Sequence, residues 1–105
     1  TGSATREYMH EDDLADACIY FMKNYENKNI LNVGWGIDIS IKDLAEKIKL
    51  KTGFKGFIDW DKTKPDGTPK KCMDVTEMQK FSFRPKITLD QGLDEMIKIY
   101  ESKIN

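Results

Sequence analysis

The richest chemistry in the chain lies in Lys62-Thr63-Lys64-Pro65-Asp66-Gly67-Thr68-Pro69-Lys70-Lys71. Pro fixes φ, Asp can bond its own backbone and Gly allows φ > 0, so Pro65-Asp66-Gly67 reads as a turn. Four lysine ammonium groups flank that turn, against Asp61 and Asp66. A stiff basic loop suits a diphosphate, because donors already held in place lose less entropy on binding. Asp66 is a candidate acceptor for sugar hydroxyl protons. The alternative is a solvated surface loop, since exposed lysine runs are common. Arg6, one of only two arginines, adjoins a short apolar stretch, where its planar fork suits a phosphate held by two bonds. The alternative there is a surface ion pair with Glu7 or Glu11. His10, the single histidine, reads as a packed residue at a helix start in preference to a catalytic base. Trp35 reads as a loop aromatic packed on the core in preference to a cleft wall, and Asp12 and Asp13 read as helix caps.

Several catalytic patterns are missing. Gly34-Trp35-Gly36 is followed by Ile37, Asp38 and Ile39, so the third small residue of a dinucleotide-binding turn is lacking. No phosphate-binding P-loop occurs. Four positions after Tyr8, Tyr20, Tyr25 and Tyr100 stand Asp12, Asn24, Asn29 and Ile104, so no tyrosine heads a Tyr-x-x-x-Lys pair. With one histidine and no clear nucleophile, a histidine-based triad is not assembled either. The residues of this chain therefore predict no independent enzyme.

The elements that must position these groups follow from periodicity. Arg6 to His10 predicts a short strand entering a helix capped by Asp12 or Asp13, with Leu14, Ala17, Cys18, Phe21 and Tyr25 at helical spacing. Ile30-Leu31-Asn32-Val33 predicts a buried strand stopped by Gly34-Trp35-Gly36. Ser40-Ile41-Lys42-Asp43 resembles a capping box with Asp in place of Glu. It opens a second helix with Ile41, Leu44, Ala45 and Ile48 on one stripe, ending near Gly53. Phe57-Ile58-Asp59-Trp60 predicts a further strand, and residues 61–71 a loop. Asp74 to Glu77 starts a helix of one or two turns containing Met78 and Phe81, and Arg84-Pro85 prevents its continuation. Thr88-Leu89-Asp90-Gln91 is a full capping box, opening a C-terminal amphipathic helix with Leu89, Leu93, Met96, Ile97 and Tyr100. Alternating helices and short strands give an α/β or α+β class with a minimal sheet of two or three strands. Such a sheet is a poor independent unit, which suggests part of a larger protein.

Composition bounds the rest. The chain has 105 residues, 39% hydrophobic and 33% charged, with 17 basic against 18 acidic side chains. That fits one small globular domain spanning residues 1–105 and lacks the basic field of a general nucleic-acid binder. No apolar run approaches a membrane span, and no signal peptide opens the chain. Cys18 and Cys72 lie far apart with no Cys-x-x-Cys, which predicts neither a metal site nor a disulfide framework and makes a reducing cytoplasm the expected setting.

Several motifs fall in one order: Arg6-Glu7-Tyr8-Met9-His10-Glu11-Asp12-Asp13-Leu14-Ala15-Asp16-Ala17, then Asn32-Val33-Gly34, Ser40-Ile41-Lys42-Asp43-Leu44-Ala45, Lys64-Pro65-Asp66-Gly67-Thr68-Pro69-Lys70-Lys71 with Asp74-Val75, and Arg84-Pro85-Lys86-Ile87. Together they resemble the C-terminal part of the GDP-L-fucose synthases, GDP-4-keto-6-deoxy-D-mannose epimerase/reductases among the extended short-chain dehydrogenase/reductases. The Pro-Asp-Gly-Thr-Pro stretch is the most specific of them. The resemblance implies a two-lobed enzyme whose N-terminal Rossmann lobe, outside residues 1–105, binds NADP and carries every catalytic residue. The present chain is then the small C-terminal lobe that holds the GDP-sugar. By motif Arg6, Asp66 and Lys71 are its substrate-binding residues, with Lys70 where the family usually has Arg. His10 matches a family position other than the catalytic histidine. Ala4 stands for a common Pro and Cys72 for a common Leu, while the family's substrate-contacting Trp falls upstream of Thr1. The implied partners are a GDP-sugar, the Rossmann lobe and, in the assembled enzyme, a second copy. Neither nucleic acid nor membrane is implied. The readings kept beside this one are a reductase or epimerase of another GDP-sugar, such as a GDP-6-deoxy-heptose, and a non-catalytic protein-interaction module.

Overall fold

A computed structural model describes residues 1–104. The strand β1, Thr5–Glu7, sits at the centre of a three-stranded sheet. On one edge β2, Asp38–Ser40, runs antiparallel to it, with Arg6 opposite Ile39 and Glu7 opposite Asp38. On the other edge β3, Lys70–Lys71, runs parallel, with Thr5 opposite Lys70 and Arg6 opposite Lys71. The segment expected to be loop throughout thus ends in a strand: Thr5 N–H donates to the Pro69 carbonyl at 2.8 Å, and the ladder starts there.

The helix α1, Glu11–Asn24, begins where the aspartates are, but neither aspartate caps it. The cap is His10, whose Nδ1 accepts from the Asp12 N–H at 3.0 Å. Asp13 is 2% exposed, and its carboxylate instead accepts the N–H groups of Lys86 (3.1 Å) and Ile87 (2.9 Å). One turn into α1, a buried carboxylate reaches better donors in a segment more than seventy residues away than at its own helix end. From α1, Ala17 and Phe21 meet Val75 and Met78 in the buried core. Phe21 is its centre, edge-on to Tyr20, Tyr25, Phe81 and Phe83 at 5.0–6.5 Å, the arrangement that aromatic quadrupoles favour.

Two expected strands are extended segments without a ladder. Leu31 and Val33 pack against the core, while Ile30 is 94% exposed and the Asn32 amide donates to the Asp74 carbonyl. Likewise Ile58 and Trp60 are half-buried, Trp60 lying against Gly2, and Phe57 is 94% exposed. Side-chain alternation comes from extended backbone alone, whereas a strand also needs a partner. Both edges of β1 are already taken. The short helix expected at residues 74–81 is one 3₁₀ turn, Met78–Lys80, with Phe81 beyond its end.

The other caps form as expected. Ser40 Oγ accepts from Asp43 N–H at 3.0 Å to start α2, Ile41–Thr52, which ends at Gly53 with φ 70°. Thr88 and Gln91 exchange backbone and side-chain bonds to start α3, Leu89–Ile104. The Gly2 and Ala4 carbonyls accept from Lys42 and Ile41 N–H, both at 2.9 Å, satisfying two open donors at the start of α2.

Neither α2 nor α3 buries a residue fully, and ion pairs clasp them: Lys47 to Asp90 at 2.9 Å, and Lys51 to Asp94 at 2.7 Å and Asp90 at 3.4 Å. The hydrogen bond from Lys47 holds the Asp90 carboxyl below its ordinary value, and the bond to Asp94 raises the Lys51 ammonium. A lowered carboxyl favours folding above its unfolded value and loses that effect as pH falls through its folded one. A raised ammonium favours folding below its unfolded value and loses that effect as pH rises through its folded one. The α2–α3 clasp should therefore hold across neutral pH and loosen at both the acidic and the strongly alkaline end. Amide exchange in α3 against pH checks this, and added salt should weaken the protection. The Asp13→Ala variant should lose about 2–4 kcal/mol in urea unfolding, because two backbone donors lose a charged acceptor.

Candidate functional site

Gly67 turns the basic loop with φ 79°, a value that L side chains rarely adopt. Beneath the turn lies Arg6, whose Nη1 donates to the Thr68 carbonyl at 2.8 Å and the Thr5 carbonyl at 2.7 Å. Its guanidinium Nη2 is 3.8 Å from where a Cβ on Gly67 would stand. Arg6 is half-buried and makes neither of the ion pairs weighed for it. It is a strut between β1 and the loop.

The register divides the four candidate residues. Successive strand residues face opposite sides of a sheet, so Arg6, its partner Lys71 and its partner Ile39 share one face. Thr5, Glu7, Asp38 and Lys70 share the other. Lys70 Nζ indeed lies 3.8 Å from an Asp38 carboxylate oxygen. The structure thus brings Arg6 and Lys71 together and turns Lys70 away from them. Asp66 sits at the foot of the loop, accepting from Thr1 Oγ1 at 2.8 Å.

Tyr8, Trp35, Ile37, Asp38, Ile39, Lys47 and Leu89 line a cleft of about 230 Å³, which reaches the Arg6 face only through Ile39, the strand partner of Arg6. Trp35, expected in the core, is a wall of this cleft. His10 is enclosed, its side chain 9% exposed, with Nδ1 used as the cap and Nε2 at 3.4 Å from Glu95 Oε2. The Cys72 thiol is pushed up, by burial first and then by the Glu7 and Asp38 carboxylates, which opposes thiolate chemistry.

Residues 34–36 do not fit a dinucleotide diphosphate. A Cβ on Gly34 would lie 2.9 Å from Glu7 Oε2, and one on Gly36 would lie 2.6 Å from Val75 Cγ2. The surface a phosphate would need is filled by a carboxylate and a methyl group, and the carboxylate repels anions. Among the described residues no helix is long and apolar enough to cross a membrane.

No family model matches the sequence. The chain is 47% identical over 100 residues to a putative GDP-L-fucose synthase 2 of Arabidopsis thaliana, covering 95% of itself and 30% of that protein. The resemblance to the GDP-L-fucose synthases holds. It extends to structure. A GDP-6-OMe-4-keto-L-xylo-heptose reductase from C. jejuni superposes with a TM-score of 0.88 at 34% identity, over 98% of this chain and 32% of that one. A GDP-mannoheptose C4 reductase from Campylobacter jejuni, with NADP bound, gives 0.82 at 36% identity, over 96% and 33%. The chain spans about a third of the length of the proteins it matches. The α/β architecture with three helices and a minimal sheet is shared with these two reductases.

One residue of the site was not singled out by sequence. Glu7 accepts from Gly36 N–H at 2.8 Å and from Met73 N–H at 2.6 Å. No local signal points to it, because its two donors lie 29 and 66 residues away in sequence. The strut role of Arg6 has its own consequence. Losing a bond from a charged donor should free the loop, so Arg6→Ala should speed tryptic cleavage after Lys70 about tenfold. Timed digestion of the folded protein measures it.

Proposed function

We propose that this chain is the C-terminal substrate-binding lobe of a GDP-L-fucose synthase-like, NADP-dependent epimerase/reductase that converts GDP-4-keto-6-deoxy-D-mannose to GDP-L-fucose. The observation that carries the reading is the pairing of Arg6 with Lys71 on one sheet face, under a proline-stiffened loop and beside an aromatic cleft. Two cations held on neighbouring strands match the charge of a diphosphate. Arg6 already spends Nη1 on the loop, which leaves its remaining donors for a phosphate oxygen. Lys71, a compact charge on a flexible stem, adapts to the second phosphate. The similarity to GDP-sugar enzymes supports the guanosine nucleotide as the carrier. In this reading the chain binds and orients, while the nicotinamide cofactor and all proton and hydride transfer belong to a Rossmann lobe outside residues 1–105. A second copy in the assembled enzyme and a cytoplasmic setting go with it. Two unpaired thiols suit a reducing compartment.

A second reading, the same lobe in a reductase or epimerase of a GDP-heptose, is favoured by the two heptose reductases among the structural neighbours. A site that reads the diphosphate would not distinguish the two sugars.

Removing one partner of a desolvated, charge-assisted pair typically costs about 2–5 kcal/mol. Arg6→Ala or Lys71→Ala should therefore weaken GDP-sugar binding roughly 30-fold or more in the intact protein. Lys62→Ala, at the exposed outer edge of the loop, should do much less. NADP affinity should stay near its original value in all three. Titration calorimetry with GDP-L-fucose and with NADP tests this. Equal losses for Lys62→Ala and Lys71→Ala, or a matching fall in NADP affinity, would refute the placement of the diphosphate. Residues 1–105 alone should oxidise no NADPH in the presence of a GDP-4-keto-sugar.

A further inference from the structure

We infer that Glu7 is a positioning residue for the diphosphate site, its carboxylate fixing Lys71 by holding the amides of Gly36 and Met73 at once. The inference rests on the binding role proposed for Lys71 and extends it to a residue on the opposite sheet face.

The strand that carries Lys71 is two residues long and exposed, and a ladder that short holds poorly. Its position therefore depends on anchors at its ends. On the N-terminal side are Thr5 N–H to Pro69 and Arg6 to Thr68. On the C-terminal side, two residues past Lys71, Met73 N–H donates to Glu7 Oε1. The other oxygen takes the Gly36 N–H, which ties the Trp35 loop to the same carboxylate. Gly34 packs so closely that a Cβ there would lie 2.9 and 3.0 Å from the two carboxylate oxygens. The group is thus clamped between two loops, and those loops carry the cleft aromatic on one side and the phosphate cation on the other.

Alternation along β1 makes this compatible with anion binding. Glu7 faces away from Arg6 and Lys71, so its charge is spent on backbone amides and does not neutralise the cations. Two converging N–H donors need two acceptor oxygens. Glutamine supplies one, and its NH₂ would meet an N–H with another N–H.

The test is GDP titration of the intact protein and of Glu7→Gln, Lys71→Ala and the double variant. Glu7→Gln should weaken GDP about tenfold, and in the Lys71→Ala background the same change should add less than about twofold, the non-additivity of residues acting through one another. A general loss of stability would not produce that pattern. If Lys71→Ala leaves GDP affinity unchanged, the binding reading fails and this inference falls with it. If Lys71→Ala weakens GDP but Glu7→Gln is silent or fully additive, positioning by Glu7 alone is overturned. Should Glu7→Gln not fold, amide exchange of the unsubstituted protein decides. Saturating GDP should slow the Gly36 and Met73 amides several-fold relative to the Lys86 and Ile87 amides held by Asp13. Unchanged Gly36 and Met73 rates would overturn the inference.

Discussion

Alternation of side chains along a three-residue strand governs this fold. Thr5, Arg6 and Glu7 form the middle of the sheet, and the period of two sends the guanidinium one way and the carboxylate the other. Had both faced one side they would have paired, leaving neither a strut for the basic loop nor an acceptor for the amides of Gly36 and Met73. Opposite faces let each charge organise a different set of loops: Arg6 the turn after Asp66, Glu7 the segments around Trp35 and Met73. The sheet contributes little burial of its own. Its value is geometric: it directs the cation and the anion of adjacent residues to different hydrogen-bond partners.

Hydrophobic burial is sparse elsewhere too. The buried apolar set is Ala4, Ala17, Phe21, Val75 and Met78, and neither α2 nor α3 adds to it. With so small a core, directed polar bonds decide where the long irregular segments lie. Asp13 pins the stretch before α3 to α1, Arg84 gathers the carbonyls of Gln79, Phe81 and Phe83, and Glu7 pins two loops. Charges satisfied by backbone groups act here as tie-points, Asp13 buried, Glu7 half-buried and Arg84 exposed.

What sequence revealed and what it hid follow the same division. The caps at Ser40 and Thr88, the αL stop at Gly53 and the apolar stripe through Ala17 and Phe21 depend on residues at most a turn apart, and all were legible. So was the proline-glycine turn. Partners distant in sequence were not. Asp13 looks like a cap because caps are local, yet its donors come from Lys86 and Ile87. Ile30 to Val33 and Phe57 to Trp60 carry the alternation of strands, but no sequence rule states that the edges of β1 are already occupied by β2 and β3. His10 became the cap that the aspartates were expected to supply, because its Nδ1 could accept the Asp12 N–H while its ring filled space beside Gly92.

The two adjacent lysines of β3 show how far composition falls short of a site. Lys70 and Lys71 have the same charge, the same stem and similar exposure, and a motif match treats them as a pair. Parallel pairing with β1 assigns them to different faces. Lys70 is drawn toward Asp38, whose Oδ2 has no hydrogen-bond partner, so part of its field is spent inside the lobe. Lys71 stands opposite Arg6 and adds its field to the guanidinium's. Two like charges on neighbouring strands repel unless something of opposite sign comes between them. That pairing of like charges on one face, against the Lys70–Asp38 ion pair on the other, is what supports the proposed anion site beside Arg6 and Lys71.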